Sequence, residues 1–139
     1  MGAYKLRRGT FKHIEAELYD YKDTLKRIKH REQELMSDPA REEGMPSSPT
    51  LPSSTTERYG TRLAMDRQLQ ELERVASAVE HVYNICDDGR KKLIQLKYWT
   101  RPQLKSWEGI AQELHISKRQ AYRWRDEVIQ AVGERLGWW

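Results

Sequence analysis

One cysteine, Cys86, and one phenylalanine, Phe11, are all that the chain has of either residue. A lone cysteine excludes a disulfide framework within the chain and points to a reducing compartment. The four histidines, His13, His30, His81 and His115, are scattered, and with Cys86 they make no zinc-ligand spacing. The glycines lie singly, so there is no glycine-rich phosphate loop. No apolar run approaches the roughly 20 residues of a membrane span. The segment MGAYKLRRGTFKHIEAEL is basic and lacks an apolar stretch, so no signal peptide is expected. Leu6 stands where a myristoylation site needs Ser or Thr. Asp87 and Asp88 are adjacent acids at a turn, and no Ser/His/Asp or Cys/His arrangement accompanies them. With 33% charged residues and a mean hydropathy of −0.93, there is little room for a catalytic pocket. These absences point away from an enzyme, from a metal or cofactor and from a membrane partner.

Charge is present and unevenly placed. Residues 1–86 carry 14 Lys/Arg against 14 Asp/Glu, whereas residues 87–139 carry 11 against 7. The whole net charge of +4 therefore sits in the C-terminal part, and an anionic partner is favoured there.

The apolar residues are spaced for helices, and the expected fold class is all-α. From Phe11 through Ile14, Leu18, Tyr21 and Leu25 to Ile28 the spacings alternate three and four; Leu35 resumes the series after Glu32. A period of 3.5 is a coiled-coil seam, which predicts a long helix over 1–36 that needs a partner helix. Residues 37–56 break the pattern with Pro39, Pro46, Pro49 and Pro52 among serines and threonines. Such a stretch buries too little to offset the entropy of ordering, so it is expected to be a flexible linker. A second long helix is predicted over 57–86 from Met65, Leu69, Leu72, Ala76, Val79, Tyr83 and Cys86. Leu63, Val75, Val82 and Ile85 widen its face. Two heptad-patterned helices on a tether either fold back as an antiparallel pair or build a bundle between subunits. Either way, they are the expected oligomerisation and spacer body.

Residues 87–139 predict a three-helix module. Asp87-Asp88-Gly89 is a turn, with Asp88 placed to cap a helix that runs to Tyr98 or Trp99, and Thr100-Arg101-Pro102 stops it. Ser106 caps a second helix, with Ile110, Ala111 and Leu114 on its apolar face. His115 falls where the chain leaves that helix and positive φ is common, and Ile116 plugs the turn. Ser117, with Gln120 three residues on, caps a third helix that ends at Gly137. Its apolar side is Ala121, Trp124, Val128, Ile129 and Val132. Trp138 and Trp139 follow, either packed back on the module or offered to a partner.

A helix, a tight turn and a second helix that opens with basic and amide side chains form the pattern of a helix-turn-helix DNA reader. The candidate base-reading residues are Lys118, Arg119, Gln120, Tyr122 and Arg123. Arg and Gln can each bond two atoms of one base edge. Cations at a helix N-terminus oppose its dipole, so their placement asks for another reason. The candidate phosphate contacts are Ser117, Arg125, Arg90, Lys91, Lys92 and Lys105, which would position the protein without reading sequence.

The strings LIQLKYW and SWEGIAQELHISKRQAYRWRDEVIQAV resemble the promoter-reading fourth region of bacterial sigma factors. Leu93 to Tyr98 matches the string that precedes its helix-turn-helix, and Ile110, Ala111, Leu114, Ile116 and Ser117 match its interior positions. His115 stands where many such turns have Gly, and Trp124 where a branched aliphatic is common. The layout as a whole resembles the RinA-type phage late-transcription activators. That resemblance implies an activator of phage late genes that binds promoter double-stranded DNA, and it places the recognition helix on Lys118, Arg119, Gln120, Tyr122 and Arg123. The expected function is thus a DNA-binding regulator in the bacterial cytoplasm, acting as a homo-oligomer and with RNA polymerase as a second candidate partner. The alternatives are a small terminase subunit that forms rings on viral DNA, and an interaction protein whose module binds polymerase and not DNA.

Overall fold

The computed structural model describes residues 5–37 and 55–139, and they form six α-helices. These are α1 Arg8–Met36, α2 Thr55–Met65, α3 Arg67–Ile85, α4 Asp88–Tyr98, α5 Trp107–Leu114 and α6 Lys118–Leu136. The all-α class is as the sequence predicts. Residues 1–4 of the first expected helix and most of the expected linker, residues 38–54, lie outside the described residues. The chain divides into two compact units, Met1–Lys22 with Arg74–Trp139, and Asp23–Glu73.

The first unit draws one core from both ends of the chain. Leu6, Ile14 and Leu18 join Val75, Ala78, Val79 and Val82 of α3, Ile94 and Tyr98 of α4, and Val128, Ile129, Val132 and Leu136 of α6. Ile14, Ile129 and Val132 are fully buried. Gly133 makes the close approach possible: a Cβ there would stand 2.9 Å from Leu6 Cδ2 and 3.0 Å from Ile14 Cδ1. Polar bonds fix the same arrangement. Tyr98 donates its hydroxyl to Glu15 Oε2 at 2.7 Å, and Trp99 Nε1 donates to the Leu18 carbonyl at 3.1 Å. Arg101 donates to the Tyr19 carbonyl at 2.8 Å.

Gly137 ends α6 in the left-handed region at φ 75°, as its place in the sequence predicts. Trp138 then packs back on the core, with its ring 4.9 Å from that of His13. Trp139 is 58% exposed, and its carbonyl accepts from the Thr10 hydroxyl.

The single helix expected over 57–86 is two helices, and the break between them, at Asp66, falls in the second unit. Asp66 acts as a cap: its Oδ2 accepts from the Leu69 amide at 2.9 Å. The same carboxylate takes a bidentate pair from Arg31, with Nη2 to Oδ1 at 2.7 Å and Nε to Oδ2 at 3.0 Å. The hydrogen bonds to Asp66 hold the Arg31 pKa above its ordinary value. Leu35 and Leu69 of the expected series are buried, whereas Met65 is 74% exposed. At the level of Leu25 the expected series departs, because Thr24 is buried and Leu25 is 42% exposed. One residue along a helix turns the buried side by about 100°.

Candidate nucleic-acid interface

Helices α4, α5 and α6 pack against one another in all three pairings. Their caps follow from the sequence. Ser106 Oγ accepts from the Gly109 amide at 3.1 Å, and Ser117 Oγ accepts from the Gln120 amide at 3.0 Å. His115 takes φ 59°, and the Ile116 amide returns to the Ala111 carbonyl, which closes the turn between α5 and α6. The cap of α4 is Asp87 rather than Asp88: its Oδ1 accepts from the Arg90 amide at 2.9 Å. At the far end of α4 Gln103 donates to the carbonyls of Leu96 and Lys97, and so anchors the connection to α5.

The interior of this trio sets two alanines against larger aliphatic and aromatic side chains. Leu93, Ala111 and Ala121 are buried, with Trp107, Leu114, Ile116 and Trp124 around them. Trp124 lies on the inner side, over Gly89, where a Cβ would come within 2.9 Å of its ring. Ile110 is fully buried as well.

The candidate base-reading residues do not share one environment. Arg119 and Arg123 are exposed, and among the described residues neither has a hydrogen bond or ion pair. One helical turn apart, they stand side by side on the outer face of α6. Lys118 is exposed but reaches Glu108 of α5, Nζ to Oε1 at 3.4 Å. That hydrogen bond, with the nearby Tyr122, holds the Lys118 ammonium pKa above its ordinary value. Gln120 is half-buried, and its backbone amide donates to the Ser117 cap. Tyr122 is half-buried, edge-on to Trp107 with ring centres 5.1 Å apart.

The candidate phosphate contacts divide in the same way. Arg90 is held on three sides: Nη1 meets Asp87 Oδ2 at 2.8 Å, Nη2 meets Glu127 Oε2 at 2.6 Å, and its guanidinium lies 4.8 Å from the centre of the Trp124 ring. Arg125 sits among three rings, 4.9 Å from Tyr122, 5.3 Å from Phe11 and 5.5 Å from Trp107, and it pairs with Asp126 at 2.8 Å. Lys105 pairs with Glu113 at 3.0 Å. Lys91 lies over the Tyr83 ring at 5.6 Å. Lys92 and Ser117 are exposed, and Lys92 has no partner among the described residues.

A family model described as "Protein of unknown function (DUF722)" matches residues 11–134, almost the whole chain. The chain belongs to that family. Within the DUF722 match lie α2 to α5 entire, all of α1 but its first three residues, and all but the last two residues of α6. Among curated proteins the chain is similar to the transcriptional activator rinA of Staphylococcus phage phi11. The two are 26% identical over 139 residues, which covers 96% of this chain and 95% of that protein. No solved structure matches.

Sequence reasoning missed the ring cluster beneath α6 and the carboxylates of α5. Phe11 and Arg125 are 114 positions apart, so no local pattern announces their contact. Lys97, over Trp107 at 5.0 Å and Tyr19 at 5.6 Å, extends the cluster. Glu108 and Glu113 carried only the ordinary signal of acids on a solvated helix. Among the described residues no group of three or more His, Cys, Asp or Glu could hold a metal ion, and no helix is long and apolar enough to cross a membrane.

Proposed function

We propose that this chain is a double-stranded DNA-binding transcription regulator, an activator of phage late genes that works as a homo-oligomer in the bacterial cytoplasm. In this reading α5 and α6 are a helix-turn-helix like that of the fourth sigma region. The first turns of α6 enter the major groove, and α5 crosses the backbone. Arg119 and Arg123 read bases, with Lys118, Gln120 and Tyr122 beside them. Lys91, Lys92 and Ser117 meet phosphate, joined by Lys105 when it leaves Glu113. Arg90 and Arg125, gripped by their own carboxylates and rings, hold α6 in place. The long helices supply the contacts between subunits, and RNA polymerase is the second candidate partner. No cofactor or catalytic step is involved.

The observation that carries this reading is the pair Arg119 and Arg123. They are exposed and lack a carboxylate among the described residues, and Arg119 sits in the first turn of α6, where the dipole disfavours cations. The similarity to a phage transcriptional activator along nearly the full length supports it.

The test is binding to late-promoter and random duplexes at two salt concentrations, with light scattering on the free protein. Selective, salt-dependent binding by a small oligomer is expected. Arg119→Ala and Arg123→Ala should each weaken the specific site by about 1–3 kcal/mol. Unchanged affinity in both variants removes the assigned face. A large ring with unselective binding replaces the reading with DNA packaging.

A further inference from the structure

Helix α5 carries two acids, Glu108 and Glu113, and no Lys or Arg. Both acids reach lysines outside their own helix: Glu108 meets Lys118 of α6, and Glu113 meets Lys105 in the preceding connection. Glu108 is 70% exposed on its side chain and Lys118 47%, so the bond between them is open to solvent and to competition. An exposed pair of this kind contributes little to the fold. It does, however, fix where the lysine points when no DNA is present.

We propose that Glu108 is a specificity-determining residue: a built-in counterion that occupies Lys118 until a better anion displaces it. This rests on the DNA-binding reading above. Arg119 and Arg123 need no release, whereas Lys118 must leave Glu108 before it meets DNA. On a random duplex the exchange of one anion for another gains little, and the uncovered Glu108 faces phosphate across α5. On the specific site the base contacts of Arg119 and Arg123 hold α6 close enough for the exchange to go forward. Glu108 thus lowers affinity for all DNA, and lowers it most where base contacts are lacking. Specificity is a difference of affinities, and a repulsive element raises it as well as an attractive one.

The experiment compares the full-length protein with Glu108→Gln on random and late-promoter duplexes over a series of salt concentrations. Glu108→Gln should bind the random duplex about twofold to fivefold more tightly at 0.1 M salt. Its log–log salt slope should steepen by up to about 0.9, the equivalent of one more phosphate neutralised. The ratio of specific to random affinity should fall. Glu134→Gln makes the same charge change on the outer face of α6, eleven residues or about 16 Å beyond Arg123. It should do much less, because that distance exceeds the screening length of about 10 Å. In a Lys118→Gln background the effect of Glu108→Gln should shrink, since Glu108 acts through that lysine.

An equal gain from Glu134→Gln overturns the inference, as does an undiminished gain in the Lys118→Gln background. So does a loss of specific affinity in Glu108→Gln, which would make Glu108 a base contact. Parent protein that binds DNA with no response to Glu108→Gln removes this inference alone. Parent protein that binds no duplex removes the DNA-binding reading with it.

Discussion

Replacing Ile14 with alanine asks whether the start of α1 and the C-terminal helices are one folding unit. Ile14 is fully buried and shares its cluster with Ile94 and Tyr98 of α4 and Ile129 and Val132 of α6. Truncation of a buried isoleucine to alanine costs about 2–5 kcal/mol, the larger values where the site cannot collapse. Leu6, Ile14 and Gly133 meet so closely that little rearrangement is open to them, so about 3–4 kcal/mol is expected. With a urea dependence of about 2 kcal/mol per molar, the unfolding midpoint falls by about 1.5–2 M. The assay is tryptophan fluorescence in urea. All five tryptophans, Trp99, Trp107, Trp124, Trp138 and Trp139, lie in the last 41 residues. The perturbation is therefore at one end of the chain and the reporters are at the other. A midpoint shift under about 0.3 M would refute the reasoning, because α4 to α6 would then fold without α1. Leu25→Ala on the same helix is the control; at 42% exposure it should change stability by no more than about 0.5 kcal/mol.

Tyr98 gives a prediction in pH. Burial, then the hydrogen bond to Glu15 and that residue's charge, push its pKa far above the ordinary 10.0. Above pH 10 the unfolded chain gives up this proton while the folded chain keeps it, so the unfolded state binds fewer protons and stability falls as pH rises. The contribution is fully present below pH 10 and declines above it by up to about 1.4 kcal/mol per pH unit. Tyr98→Phe should cost about 1–2 kcal/mol at neutral pH and flatten the alkaline decline, as measured by urea midpoints from pH 8 to 11. An equal decline in both proteins would take the proton away from Tyr98. Arg90→Gln separates a structural cation from a phosphate contact. It should lower stability by about 1 kcal/mol while leaving the salt slope of DNA binding within 0.3 of the parent, about a third of one phosphate. A loss of 0.9 in slope would return Arg90 to the phosphate contacts.

Much of the candidate site was legible because its signals are local. Ser106, Ser117, His115 and Gly137 each announce a helix end within a few residues, and each does that work in the structure. The inward side of α6, Ala121, Val128, Ile129 and Val132, follows from a 3.6 period alone. What stayed hidden depends on partners far along the chain. Asp66 looks like any surface acid until Arg31 and the Leu69 amide are seen around it, and so the break between α2 and α3 could not be expected. Arg125 looks like a free cation until Phe11 and Trp107 close on it. Asp88 is the expected cap of α4, but Asp87 takes the place, where its carboxylate accepts from both the Arg90 amide and the Arg90 side chain.

The outer face of α6 changes sign along its length. Arg119 and Arg123 come first, then Asp126, Glu127 and Glu134, all of them exposed. The bases at the start oppose the helix dipole, which favours acids there, whereas Arg135 in the last turn accords with it. The dipole therefore does not account for the bases of the first half. The acids of the later half have tasks inside the protein: Glu127 holds Arg90, Asp126 holds Arg125, and Glu134 accepts from Gln130. The bases of the first half have no such tasks among the described residues. On the proposed reading, Asp126 and Glu127 also repel phosphate from the turns just beyond Arg123. A duplex can then approach α6 only over its first two turns, where Arg119 and Arg123 stand. Glu108 adds a second restraint on the neighbouring helix. Carboxylates thus border the free arginines along α6 and across on α5, and this limits how many ways a phosphate backbone can lie against them.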